Sequence, residues 1–427
     1  MRRIATHILA PLLLTLACSI FQSFSTPEPV WTYTSDRIQV NNFDQLLYEV
    51  DGNIYAYLSN EVYDVNGLLG LNGSTGQELW TPITNEDLLI FEGVFGNFAI
   101  FKGSFSDEAA SDGSVLFPII AYDLQTGAEA WRYIGMPETY PVIGRGEYLF
   151  LWKSSTEMDI LDLKSGEVLS TYIFNDVDPS EYAESNAAWV HFIYTDTAFY
   201  SLSPVGILRE YSLPEGKFLG SQQLDTPYYH DVTYMENDRL YLYSGYEIGQ
   251  DVSLVAYDLS NGEKLWELKD MYSSSHYVEF QNGLGYLNTL QGTSAVDLNS
   301  GQVLWSTGGS MNASFVVNAE TKGKLLVADS GSMSAYDALS GEKLWTFEPG
   351  LDNLLRITAI NGVAFVTSGD DPPPFQYEII PTRLDAIDIE TGKNIWRMEQ
   401  VWVTLPLPSG DLAISAYDKG ISAYPLK

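Results

Sequence analysis

The side chains in this sequence best equipped for chemistry are carboxylates. They crowd four stretches, Gly103 to Ser114, Asn175 to Asn186, Gly245 to Asp251 and Gly369 to Thr382. Among them are Asp107, Glu108, Asp112, Asp176, Asp178, Glu181, Asp370 and Asp371. Hard oxygen donors of this kind hold calcium or present a charged recognition surface. Tyr182, Tyr246 and Phe375 lie in the same stretches, and aromatic residues are favoured at protein interfaces. The plain alternative is solvated loops that tolerate insertion. Other chemistry finds little support. Beyond the first 18 residues the only histidines are His191, His230 and His276. There is no Gly-x-Ser-x-Gly elbow, no phosphate-binding loop and no His-Glu-x-x-His pair. Carboxylates recur all along the chain, so no single pair marks glycosidase chemistry.

Composition narrows the choice. The 427 residues hold 22 Lys and Arg against 56 Asp and Glu, a formal charge of −34. Nucleic acid is a poor partner for such a chain, because phosphates need clustered Lys and Arg. The single cysteine rules out an internal disulfide and a CxxC metal knuckle. With 45% apolar and 18% charged residues the chain reads as globular.

The N-terminus reads as an export signal. Arg2 and Arg3 precede an apolar run from Ile8 to Ala17, too short for the roughly 20 residues that span a bilayer as a helix. The run ends in Leu14-Thr15-Leu16-Ala17-Cys18, which resembles the bacterial lipoprotein signal, where the cysteine thiol takes a diacylglycerol. That family prefers leucine where Thr15 stands, and ordinary cleavage after Ser25 is the alternative. The expected division is a signal peptide over residues 1–18 with lipidation at Cys18, a tether over 19–29, and one domain over 30–427.

The body of the chain is a repeat. Tyr122-Asp123-Leu124-Gln125-Thr126-Gly127-Ala128-Glu129-Ala130-Trp131 is matched by Leu71 to Trp80, Tyr257 to Trp266, Val296 to Trp305, Tyr336 to Trp345 and Ile387 to Trp396. Two degenerate copies, Leu161 to Ser170 and Tyr211 to Gly220, lack the tryptophan. The turn glycines are Gly76, Gly127, Gly166, Gly216, Gly262, Gly301, Gly341 and Gly392, spaced 39 to 51 residues apart. That period suits four-stranded propeller blades. The Asp with its Ser or Thr can close a turn through local backbone amides, and the glycine supplies a positive φ. Trp80, Trp131, Trp266, Trp305, Trp345 and Trp396 can each wedge between neighbouring sheets. Between motifs the pattern is strand, Asp-Gly or Asn-Gly turn, strand, as in Leu46 to Tyr57 and Ala359 to Val366.

The ends complete the pattern. Val30 to Tyr33 reads as a tryptophan strand with no blade before it, and Ile421 to Leu426 as a strand with no turn after it. Together they would close the ring and remove its free edges. Eight motifs and one split unit count to nine, but propellers usually stop at eight blades. An eight-bladed ring, with one unit over-counted, is therefore the expectation, and nine the alternative. By the same strand reading the long insertions emerge on one face and the motif turns on the other.

The Asp-x-x-Thr-Gly-x-x-x-Trp repeat resembles the PQQ-like, quinoprotein-type β-propeller superfamily, and the exported, propeller-only plan resembles its BamB-like lipoprotein branch. The resemblance implies a non-enzymatic scaffold at the cell envelope that binds a protein or peptide, with no cofactor and a membrane link only through the lipid. Quinoprotein dehydrogenases of the superfamily stack adjacent cysteines on the quinone. This chain has no Cys-Cys pair, so PQQ is not expected, and calcium on the carboxylate loops is the only cofactor the residues would accommodate. A secreted PQQ- or metal-dependent dehydrogenase and a carbohydrate-binding propeller are the rival readings.

Overall fold

The computed structural model describes residues 27–426 apart from short runs; those longer than three residues are 35–46, 61–64, 104–116, 137–141, 174–190, 226–229, 245–251, 272–277, 310–313, 370–382 and 400–406. The described residues form an all-β propeller of nine four-stranded blades. Strands follow one another outward within each blade, every pair antiparallel. Blade 1 is Leu47–Val50, Asn53–Asn60, Val65–Asn72 and Ile83–Asn85. Blade 2 is Leu88–Phe95, Phe98–Gly103, Phe117–Asp123 and Glu129–Met136. Blade 3 is Val142–Arg145, Tyr148–Ser154, Glu157–Asp162 and Val168–Ile173. Blade 4 is His191–Tyr194, Ala198–Leu202, Ile207–Ser212 and Phe218–Gln223. Blades 5 to 8 repeat the plan, ending in the outer strands Lys264–Met271, Val303–Ser306, Lys343–Phe347 and Asn394–Glu399. Blade 9 is composite. Leu407–Ser409, Leu412–Tyr417 and Gly420–Pro425 come from the C-terminus, and Trp31–Thr34 from the N-terminus supplies the outer strand. Trp31 pairs Ala423 and Thr34 pairs Gly420, which closes the ring.

The expectation of eight blades is corrected: all nine units are real. The degenerate motifs after Leu161 and Tyr211 are true turns between third and fourth strands. What replaces their missing tryptophans explains why they still fit. Seven indoles, those of Trp31, Trp80, Trp131, Trp266, Trp305, Trp345 and Trp396, donate through Nε1 to a carbonyl of the next blade, in its motif turn or, for Trp396, at Pro425 where the C-terminal strand ends, at 2.9–3.1 Å. In blade 3 the Ser170 hydroxyl donates to the Pro214 carbonyl at 2.6 Å. In blade 4 the position belongs to Gly220, and the Gln222 amide, two residues on and so on the same side of the strand, reaches the Leu259 carbonyl at 2.5 Å. Nine donors thus serve nine interfaces in one closed circuit.

The turns are built as the residue types predict. Asp123 Oδ1 accepts from the Thr126 amide and hydroxyl, both at 2.8 Å, and Asp162, Asp297, Asp337 and Asp388 do the same with their Ser or Thr. The motif glycines have φ between 61° and 74°. At six of them a Cβ would lie 2.5–2.6 Å from the tryptophan of the preceding blade, so the ring lies flat on bare backbone. Glycine is needed there twice over, for its φ and for the contact.

One further hydrogen bond recurs in all nine blades and fixes which loops share a face. The turn between third and fourth strands, or its equivalent at Leu426, donates an amide to the turn between first and second strands. Gly73 donates to Gly52, Leu163 to Glu147, Ile389 to Gly362 and Leu426 to Asp411, at 2.9–3.2 Å over the set. These two turn classes form one face, the turn face. The second-to-third connections and the links between blades form the opposite loop face. On that side the Gly308 amide, just past an outer strand, donates to the Gln291 carbonyl in a second-to-third turn. First strands of neighbouring blades approach one another around the axis, as at blades 7 and 8 and at blades 9 and 1.

Candidate recognition surface

The core is apolar toward the turn face and polar toward the loop face. Lys102, Asp159, Ser201, Arg209, Ser253, Asn288, Thr289, Thr293, Ser294, Ser334, Thr367, Ser368 and Asp385 are all buried. Each sits near the end of a second strand or near the start of a third, beneath the loop face. Thr321, in a turn on the other face, is the exception. Burying polar groups costs free energy unless each is hydrogen-bonded, so the polar half is held by dedicated networks.

Three of these networks carry charge. In blade 2, Lys102 Nζ lies 2.8 Å from Glu92, with both side chains nearly excluded from solvent, and Glu92 also accepts the Val142 amide of blade 3 at 3.2 Å. Across the next part of that interface, the Tyr133 hydroxyl of blade 2 donates to Asp159 of blade 3 in a short bond, and Thr171 donates to the other oxygen at 2.6 Å. Burial first, and then the Asp159 bond, push the Tyr133 phenol well above its ordinary range. Lys153, 2.6 Å from Glu157, stands 3.8 Å from Asp159.

The third network is in blade 8. Asp385 is fully buried, and its Oδ1 accepts from Arg397 Nε and from Asn394, each at 2.6 Å. Burial raises the carboxyl above its usual value, and Arg397 works against that shift. Arg383 binds Glu399 at 2.9 Å and, with Arg397, donates to the Pro349 carbonyl of blade 7. Ser368 Oγ, Asp385 Oδ2 and Asn394 Oδ1 are buried without a hydrogen-bond partner among the described residues. The shorter polar pairs Ser294–Ser306, Ser334–Thr346 and Thr32–Ser422 hold equivalent places in blades 6, 7 and 9 at 2.7–3.0 Å.

The four insertions leave the scaffold from this polar end. Residues 104–116 connect second and third strands in blade 2, residues 245–251 in blade 5, and residues 370–382 in blade 8; residues 174–190 link blade 3 to blade 4. The strand order thus puts all four connections on the loop face. Asp107, Asp112, Asp176, Asp178, Glu181, Tyr246, Asp370, Asp371 and Phe375 themselves lie outside the described residues, as do Cys18 and His276. Sequence reasoning missed the buried networks. Asp159 and Asp385 stand three residues before a motif Asp, where the other strong copies have Leu, Ile, Val or Ser, and that substitution was the available signal. No group of three or more His, Cys, Asp or Glu side chains that could hold a metal occurs among the described residues.

Comparison with known proteins agrees with this architecture. The profile of the family described as outer membrane protein assembly factor BamB matches residues 289–424, which span blades 6 to 9. Over that part of the chain the repeat resembles the BamB-type β-propeller repeat. No curated protein matches the chain. Among solved structures, BamB from Moraxella catarrhalis covers 94% of this chain and 100% of its own, at 14% identity and a TM-score of 0.45. A eukaryotic initiation factor covers 87% of this chain and 92% of its own, at 10% identity and a TM-score of 0.57. Sqt1 from Saccharomyces cerevisiae covers 77% and 92%, at 13% identity and a TM-score of 0.46. The likeness to the initiation factor, at 10% identity, is one of fold.

Proposed function

We propose that this protein is an exported, non-enzymatic propeller scaffold, anchored by a lipid on Cys18, that binds a protein or peptide partner at the cell envelope through its loop face. The observation that carries the reading is the asymmetry of the blades. All four long, acidic, aromatic-bearing connections leave from the end whose interior is polar, while the other end is closed by short, repeated turns. A rigid sheet framework under variable loops is the usual arrangement of a recognition surface. The BamB-type repeat supports a scaffold role of this kind. The acidic loops favour a partner with a basic patch, since complementary potentials speed encounter and reject wrong partners.

The test uses purified protein as bait in envelope extract, followed by affinity measurement on the captured partner. Asp107→Ala/Asp112→Ala and Asp370→Ala/Asp371→Ala/Phe375→Ala should weaken that binding, while Asp297→Ala on the turn face should not. Equal binding by all three variants would remove the loop face from the reading. Stoichiometric binding of PQQ with calcium, measured by calorimetry, would overturn the scaffold assignment in favour of a dehydrogenase. Specific retention on immobilised polysaccharide would do the same in favour of carbohydrate binding.

A further inference from the structure

A β-bulge recurs where the fourth strand begins. In blade 6, Ala295 pairs Trp305 and the next residue, Val296, pairs Val303, leaving Leu304 as the extra residue. The same shift frees Leu169, Leu219, Leu265 and Leu344 in blades 3, 4, 5 and 7. A bulge residue has no ladder partner and turns away from the sheet. Here all five are leucines with 40–53% of their surface exposed, and Leu339, inside the blade 7 motif turn, is 71% exposed. In blade 2 Ala130 takes the place, and in blade 8 the half-buried Ile395. The leucines form an arc on the outer rim of the turn face across five consecutive blades. Repeated at one register on five consecutive blades, these exposed leucines form a candidate interaction surface.

The occupant follows from where the chain enters. Trp31 stacks on Gly76 and donates to the Gly73 carbonyl, so the N-terminal strand starts at the turn face, and Val30 before it is exposed. Residues 19–26, eight in number, separate Cys18 from the first described residue, a reach of at most about 30 Å. The chain that leads back to Cys18 therefore leaves the disc from the turn face at blade 9. The leucine arc is centred on blade 5, across the ring. Lys164, Lys217, Lys264 and Lys343, all exposed, lie in or beside four of the same motif turns, next to Glu167, Glu215, Glu263 and Glu342, and can reach phosphates while their stems lie on apolar surface.

We propose that the turn face lies against the bilayer that holds the lipid, with the leucine arc seated in the headgroup layer and the loop face directed away from the membrane. This rests on the lipid-anchor reading above. The strong negative charge disfavours anionic lipid, so the surface it fits is zwitterionic.

The experiment uses full-length lipidated protein in phosphatidylcholine vesicles that carry a headgroup nitroxide. Acylation consumes the only native thiol, so Leu304→Cys and Gln291→Cys, at opposite ends of blade 6, can each take a single bimane. Circular dichroism checks that both fold. Contact with the headgroup layer should quench bimane at 304 about twofold or more relative to 291. In a Leu265→Glu/Leu344→Glu background, the difference should shrink toward none. Equal quenching at the two sites, or stronger quenching at 291, on protein whose mass shows the diacylglycerol overturns the orientation and leaves the anchor standing. Absence of the diacylglycerol mass overturns both.

Discussion

The flat stacking of tryptophan on glycine can be separated from the backbone requirement, because two blades differ only in the first. Gly166 and Gly216 occupy the same turn position, with φ of 68° and 61°. A Cβ on Gly166 would lie 2.5 Å from Cδ2 of Trp131, whereas a Cβ on Gly216 would meet nothing nearer than Ser170 Oγ at 3.5 Å. Replacement by alanine carries the same left-handed strain at both sites, about 1–2 kcal/mol. Loss of unfolded-chain entropy offsets about 0.4–1 kcal/mol of it at both. Only Gly166→Ala must also displace an indole that is fixed by its bond to the Leu163 carbonyl at 2.9 Å. Overpacking of that kind costs about 1–3 kcal/mol. Gly216→Ala should therefore cost about 1 kcal/mol, and Gly166→Ala about 1–3 kcal/mol more. Guanidinium unfolding by far-ultraviolet circular dichroism reads both midpoints. In a Trp131→Ala background the excess at Gly166 should vanish, because the clashing ring is gone. Equal destabilisation of the two glycine variants would refute the stacking argument and leave φ as the sole requirement.

The buried Lys102–Glu92 pair should behave as a coupled unit: Lys102→Met alone should cost about 3–5 kcal/mol, and Lys102→Met with Glu92→Leu much less, in a thermal double-mutant cycle. Ring closure depends on the N-terminal strand, so a chain starting at residue 35, lacking the four pairs to Gly420–Ala423 and the Trp31 bond, should unfold less cooperatively and self-associate through the freed edge, as size-exclusion chromatography would show. Hydrogen bonds from serine hydroxyls and turn amides hold the carboxyls of Asp162, Asp297 and Asp337 below their ordinary value of 3.8. A depressed folded value means stability fully present above the unfolded value and lost as pH falls through the folded one. Melting temperature should drop as pH falls below about 4, and Asp162→Asn/Asp297→Asn/Asp337→Asn should flatten that drop.

Much of the fold was legible because each blade repeats its punctuation. The motif turns, the Asp51-Gly52 and Asn361-Gly362 turns and the composite blade follow from local residue chemistry, and the structure has them where the residues place them. The count of motifs already gave nine; the expectation of eight came from the usual size of propellers, and the units at Ser170 and Gly220, which lack the tryptophan, are complete blades. The physical requirement is a donor for the next blade's carbonyl, and serine or glutamine can meet it. The buried networks were hidden for a different reason. Lys102 and Glu92 are ten residues apart on two strands, and Tyr133 and Asp159 belong to different blades, so only the register and the packing of neighbouring sheets bring them together.

The two ends of each strand divide the work. Toward the turn face, one amide bond within the blade and one side-chain donor to the next blade recur all around the circle, the donor being an indole in seven blades. Toward the loop face the repeat lapses. Equivalent third-strand positions hold Asp159, Arg209, Ser294, Ser334 and Asp385, each with its own partner or ion pair. A repeat whose only task was to close a ring would gain from uniform apolar packing at these positions, since a buried ion pair is seldom more stabilising than a well-packed hydrophobic residue. At the turn-face end the indole is replaced only at Ser170 and Gly220, whereas at the loop-face end these positions differ from blade to blade. On the proposed reading, that divergence is the framework under a surface that differs from blade to blade, which a partner would read as one asymmetric face on a nearly symmetric disc.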